Sequence, residues 1–392
     1  MLTIRLAFRN IMGAGLRTWL NIIVLALVLV MIIWVQGLID GMREYMITAE
    51  INANLGGGQF WHRDYDPYDP LSYEESHAPP SPALQELITR GEATPILVAP
   101  AAIYPEGRMQ SALLKGIDPT QEIISIPGRV LEAQDGDAIP ALIGAQMAKQ
   151  TKLGVGDYVT VRWRDANGTF DADDVRIVEI MHTPVPSIDV GQIWIPIERL
   201  RIMLQTPGEA SLLLLRKGIP EIPEGGDAWV HRSLDYLLKD ILEIIRFRLV
   251  TSRIIYGLLL FMGLLAIFDT QVLSVWRRRK EIGTLMALGM ERDRVTGLFT
   301  FEGALHGILA VALGTVIGIP VLYYTFATGL PVPEMMSDFG VAIPQRLYPS
   351  YGIPLIVGTA LVVLVSVTVV SFLPVSRITK LKPTDALRGG RS

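Results

Sequence analysis

Four long apolar stretches set the pattern of the chain: Trp19 to Ile39, Ile254 to Leu273, Gly297 to Ala327 and Ile353 to Val375. Each supplies the roughly 20 residues a helix needs to cross about 30 Å of hydrocarbon. The first two bracket residues 40–250, where short apolar runs alternate with turns: Ile96 to Val98, Ala112 to Leu114, Ala141 to Ile143, Tyr158 to Trp163, Val175 to Ile180 and Gln192 to Ile195. Helical patterns at Ala145 to Lys152 and Glu198 to Leu204 interrupt those runs, so the segment predicts an α+β domain. Gly56 to Gly58 break a helical continuation of the first stretch, and a Pro-containing aromatic loop follows from Phe60 to Pro80. At its far end Leu234, Leu237, Leu238, Ile241, Ile244, Ile245 and Leu249 keep helical spacing into the second stretch, with neither Gly nor Pro near Thr251. A helix from Ser233 to Val275 would be about 60 Å long, a stiff stalk for the domain. The expected fold is a membrane protein with four transmembrane α-helices and one large α+β extracytoplasmic domain on helical stalks.

Charge then orients the chain. Arg5, Arg9 and Arg17 precede the first stretch; Arg277, Arg278, Arg279, Lys280, Arg292 and Arg294 lie between the second and third; Arg377, Lys380, Lys382, Arg388 and Arg391 follow the fourth. The loop between the third and fourth holds only Arg346, beside Glu334 and Asp338. Basic flanks stay inside, which predicts both termini cytoplasmic. The division is then an amino-terminal amphipathic segment 1–18, a first span 19–39, the outer domain 40–250 and a second span 251–276. An inner loop 277–294, a third span 297–328, an outer loop 329–351, a fourth span 352–376 and an inner tail 377–392 complete it. Residues 40–250 carry 31 acidic against 19 basic side chains, so nucleic acid is not an expected partner, whereas the lipid bilayer is. The first stretch is too long for a signal-peptide core and lacks a small-x-small site directly after it, so it is expected to remain as a span. The chain has no Cys, hence no disulfide.

Few local patterns carry chemistry. Nothing fits GxxxxGK[ST], no nucleophile elbow or metal-ligand set stands out, and His62, Asp64, Asp66 and Asp69 sit among prolines in a turn-rich loop. No enzyme activity, cofactor or metal is therefore expected on this chain. In Trp276 to Arg294, Ile282, Leu285, Met286 and Gly289 share one helical face, with Arg278, Arg279, Glu281 and Thr284 largely elsewhere and Gly289 as a helix stop. Such a helix either inserts its apolar face into a groove on a soluble partner or lies as a surface turn; spacing leaves both open. Gly303, Gly307, Gly314 and Gly318 fall within about 60° around the third span, a stripe that admits a close helix neighbour. Glu302 and His306 lie a turn apart beside it, and Asp269 lies in the second span. A proton pathway is one use of such residues; local hydrogen bonding at a helix contact is the favoured one.

Taken in order, LAFRNI (Leu6 to Ile11), QFWHRDY (Gln59 to Tyr65), KGIDP (Lys115 to Pro119), IGAQMAKQTKLGVGDYVTV (Ile143 to Val161), WIP (Trp194 to Pro196), RRRKEIGTLMALGM (Arg277 to Met290), FEG (Phe301 to Gly303) and KPTDALR (Lys382 to Arg388) form a pattern. It resembles the FtsX-like, MacB/LolC/LolE-type permeases of ABC transporters over nearly the whole chain. The resemblance implies a MacB-type periplasmic domain and a permease that dimerises, with itself or a second permease, in the cell inner membrane. It also implies a pair of separate ATPase subunits that bind ATP and Mg and dock on a coupling helix. That helix would contain Arg277, Arg278, Arg279, Glu281, Ile282, Gly283, Leu285, Met286 and Gly289. In such proteins ATP-driven closure moves the outer domains by mechanotransmission, and substrate does not cross between the spans. MacB-type efflux permeases carry an ATPase before the first span on the same chain, and with 18 residues there the expectation is the lipoprotein-releasing type, which can call on a periplasmic carrier or adaptor as a further partner. An efflux or peptide-export permease and a regulator of a cell-wall hydrolase are the alternatives.

Overall fold

A computed structural model describes residues 16–132, 138–183, 185–332 and 346–378. The amphipathic segment before Leu16, with its LAFRNI motif, and the KPTDALR segment of the tail lie outside these residues. The described chain divides into a sheet unit, residues 44–244, and a helical unit, residues 16–43, 245–331 and 346–378.

In the sheet unit nine strands form one mixed sheet: β1 (Gln59–His62), β2 (Ala93–Ile103), β3 (Gln110–Ile117), β4 (Ile139–Gly144), β5 (Tyr158–Arg164), β6 (Phe170–Met181), β7 (Gln192–Pro196), β8 (Leu212–Leu215) and β9 (Trp229–Arg232). Their order is β3-β7-β4-β6-β5-β2-β8-β1-β9, and β2 also pairs with β3, closing the first six into a ring. The ring follows from the length of β2: Ile96 to Ile103 pair with β3 along one edge, while Ala93 to Ile96 pair with β8 and Ala101 to Ile103 with β5 along the other. Alternate residues fill its interior, including Leu97, Leu114, Ala141, Val161, Ile177 and Ile195, all fully buried, as period-2 patterning requires. Short helices α2 (Pro82–Thr89), α3 (Ala145–Thr151), α4 (Pro186–Asp189), α5 (Ile197–Leu204) and α6 (Leu234–Leu237) lie between strands or after the last. The sequence placed β1 in a loop and did not anticipate β8, β9 or α2. β1 has only four residues within an aromatic, Pro-rich stretch, and β8 is four leucines without alternation.

The outer face of the ring buries a cation. Lys115, on β3, is 8% exposed with its Nζ 4.9 Å from the centre of the Trp194 ring, and burial pushes its amine down to about 8. The Glu50 carboxylate, which also accepts from Asn54 Nδ2 at 2.7 Å, partly offsets that cost.

The helical unit contains the four helices that are long and apolar enough to cross a membrane. They are α1 (Leu16–Glu50), α7 (Lys239–Arg277), α9 (Arg292–Thr328) and α10 (Ile353–Ile378), with the short α8 (Arg279–Ala287) between α7 and α9. Two-residue strands β10 (Leu330–Pro331) and β11 (Arg346–Leu347) pair between α9 and α10. α1 passes into a π-helical turn, Ile51–Leu55, that stops at Gly56 with φ +61°. The predicted helix from Ser233 is corrected in one detail: it runs unbroken past Thr251 but is interrupted at Leu238, between α6 and α7.

Large apolar side chains remain exposed along these helices, among them Ile254, Leu258 and Phe261 on α7 and Leu361 and Val365 on α10. Where the helices meet, the packing depends on missing side chains. A Cβ on Gly303 would lie 2.3 Å from Ser371 Cβ, and one on Gly307 3.4 Å from Val367 Cβ, so this half of the stripe is pressed against α10. A Cβ on Gly314 or Gly318 would meet Leu29 or Val30 at 3.1 and 3.0 Å, so the other half is pressed against α1. One stripe serves two different neighbours, since α9 crosses both.

Candidate functional site: the elbow between α7 and α9

The basic run that ends α7 forces a turn at Arg278, after which α8 forms and stops after Ala287. The stop is a Schellman motif: Gly289 adopts φ +92° and donates to Met286 O at 3.1 Å, and Met290 N donates to Leu285 O at 3.1 Å. Gly289 takes a conformation that costs other residues about 1 kcal/mol or more, which is why the stop could be read from sequence.

At the turn, Arg278 joins three elements. Its Nη1 donates to both Glu302 carboxylate oxygens on α9 at 2.8 Å, while Nε and Nη2 donate to Glu281 on α8 at 2.8 and 2.9 Å. The guanidinium also stands 4.7 Å from the centre of the Phe299 ring. The planar fork of arginine suits two carboxylates at once; a lysine ammonium does not. Under this clamp Val275 of α7, Ile282 of α8, Val295 and Phe299 of α9 and Val375 of α10 form one buried cluster, with Leu285 and Met286 packed against its edge.

This geometry corrects the expected docking face. Ile282 is fully buried, Gly283 is buried, and Leu285 and Met286 are half-buried, so the apolar face of α8 turns toward the long helices. The nearest apolar surface to an amphipathic helix joined to its neighbour through one residue, Arg278, is its own chain. What α8 leaves outward is Lys280, Thr284, Ala287 and, at its end, Leu288, 80% exposed. Of the basic residues Arg277 is exposed, and Arg279 stacks 5.8 Å from the Trp276 ring.

The polar residues of the spans do not form a chain. Glu302 is held by Arg278, and His306 Nδ1 lies 2.9 Å from the Glu302 carbonyl oxygen, to which only a protonated Nδ1 can donate. Asp269 is exposed on α7 and is not brought to them. Residues the sequence did not single out complete the seam: Asn21 of α1 bonds Thr270 and Ala266 O of α7, and Gln271 is buried. Short polar residues scattered through apolar runs give no periodic signal. In the Pro-rich loop that holds His62, Asp64, Asp66 and Asp69, Asp66 and Asp69 accept from the backbone N–H of Tyr68 and Leu71 at 2.9 and 3.0 Å, holding turns. Among the described residues no three acidic or histidine side chains group as metal ligands.

Four apolar helices, a large strand-rich insertion after the first, and a clamped short helix between the second and third define a polytopic membrane subunit with an extramembrane domain. Residues 18–220 match the family model of the MacB-like periplasmic core domain, and residues 253–383 that of the FtsX-like permease C-terminal domain. The chain belongs to the MacB/LolC-type family of ABC transporter permeases, whose permease subunits are not themselves ATPases. It is 23% identical over 322 residues to the lipoprotein-releasing system transmembrane protein LolC of Xylella fastidiosa strain Temecula1, covering 76% of this chain and 77% of that protein. It is 27% identical to an uncharacterized ABC transporter permease of Methanocaldococcus jannaschii over 130 residues, 33% of this chain and 30% of that one. The solved periplasmic region of MacB from Actinobacillus actinomycetemcomitans aligns with 48% of this chain and 94% of its own at 8% identity, with a TM-score of 0.31.

Proposed function

We propose that the chain is the membrane subunit of an ATP-driven machine that releases acylated proteins from the outer leaflet of the inner membrane, working as a dimer of permeases on a pair of ATP-binding subunits. The observation that carries this reading is the elbow: α8 is fastened to α7, α9 and α10 on its inner face, yet ends in Leu288, an exposed apolar residue with Thr284 and Ala287 beside it. A short helix so held is a socket for a soluble partner, and ATP and Mg belong to that partner. The basic flanks support a cytoplasmic elbow and an acidic sheet unit outside. The likeness to a lipoprotein-releasing protein supports the cargo class.

The test is reconstitution of the chain with its co-purifying ATPase in liposomes bearing a triacylated lipoprotein, with a soluble lipid-binding acceptor in the medium. ATP-dependent transfer of lipoprotein to the acceptor is the expected result. ATP hydrolysis at full rate with no transfer would remove the cargo assignment while leaving the machine.

A further inference from the structure

We infer that the bridge Arg278 makes between Glu281 on α8 and Glu302 on α9 is the positioning strut that makes α8 move as one body with the third span, so that a push on the elbow is delivered to α9 and not only to the adjoining α7.

Three observations carry this. First, the tether alone would not do it: α8 joins α7 through one non-helical residue and α9 through Leu288 to Glu291, short links with backbone freedom at Gly289. Second, the strut is made where charge is costly: the Glu302 side chain is 15% exposed, ten residues into a helix apolar enough to cross a membrane, and Arg278 supplies both of its acceptors with donors. Third, it sits over the cluster in which Ile282 touches the ends of the long helices, so rotation of α8 about its axis would break the Arg278–Glu302 contact and expose that cluster together. Every other ionic contact of α8 is local to its own turn, whereas Arg278 to Glu302 spans 24 residues. Arg278 acts through α8 and α9; it touches no substrate.

The inference rests on the proposed function, because without an ATP-driven partner there is no push to transmit. The absence of Cys allows a direct test. Spin labels are placed on Cys introduced at Lys280 and Ile308, both exposed, and their separation is measured in the complex with the ATP-binding subunit that co-purifies from native membranes, with and without ATP and vanadate. The separation is expected to stay within about 2 Å on trapping, the scale of a packed helix shift; a larger change means that α8 swings independently and overturns the inference. In Arg278→Lys and Glu302→Gln the same separation is expected to change on trapping, and lipoprotein transferred per ATP hydrolysed to fall about five-fold or more, with the ATPase still bound. Wild-type transfer per ATP in either variant also overturns it. Should a variant fail to fold, the measurement on the otherwise unaltered chain still decides. If no ATPase co-purifies, the proposed function falls and this inference with it; a complex whose α8 swings removes the inference alone.

Discussion

At the scale of single residues, the structure turns two sequence features into sharply different expectations. Gly303 faces Ser371 so closely that a methyl group cannot be placed without moving a helix, whereas nothing lies within 4 Å of a Cβ at Gly297 or Gly358. Gly303→Ala should therefore destabilise the helical unit by about 1–3 kcal/mol, and Gly358→Ala should be neutral or slightly stabilising, by about 0.5–1 kcal/mol. Thermal melting of the two variants in the same detergent separates them; equal melting temperatures would contradict the close contact. Lys115 offers a pH test. Its protonated form is disfavoured in the fold, so the native chain gains stability as pH rises through about 8 toward the ordinary lysine value of 10.5. Lys115→Met removes that dependence and should stabilise the sheet unit at pH 7 by on the order of 1 kcal/mol, about 2–4 °C, with the difference shrinking above pH 8. A variant less stable at pH 7 would mean that the amine is held by more than Trp194 and Glu50. Neither consequence was legible in sequence. The glycine stripe was visible by period, but which helix each glycine meets is a tertiary fact, and Lys115 stands in an ordinary alternating run.

At the scale of elements, the elbow shows where pattern suffices and where it stops. The helix, its basic start and its Gly289 stop follow from local rules, so a short helix ending at Gly289 could be drawn within Trp276 to Arg294 in advance. Its facing could not, because an apolar stripe says that a surface will be buried and not against what. Ile282, expected to enter a partner, fills the chain's own core instead, and Leu288, part of no stripe, is left outward. Two substitutions divide these roles. Ile282→Asp places a carboxylate in a fully buried apolar site and should lower the melting temperature strongly, the cost exceeding about 3 kcal/mol. Leu288→Asp should leave melting unchanged within about 0.5 kcal/mol while weakening capture of the ATPase about ten-fold or more. Capture lost with Ile282→Asp alone, at unaltered stability, would restore the face that the sequence suggested. The sheet unit follows the same division. Six strands with alternation were readable, while the four-leucine β8 and the four-residue β1 and β9 gain strand character only from pairing, β8 with β2 and β1, and β1 with β8 and β9.

At the scale of the whole molecule, a chain in which half the residues are hydrophobic contains two units of unlike composition, and the proposed function requires the sheet unit and the ATP-binding partner to lie on opposite sides of one bilayer. If the elbow lies inside and the acidic sheet unit outside, as proposed, a Cys at Leu288 and a Cys at Ala172, exposed on β6, should face different compartments. The most direct measurement combines that orientation with the socket: each single-Cys chain is treated with a bifunctional thiol–amine cross-linker in sealed inside-out membrane vesicles containing the ATPase. Leu288→Cys is expected to give an adduct of permease with ATPase, and Ala172→Cys none. An adduct from Ala172→Cys, with none from Leu288→Cys, would contradict both the orientation and the socket.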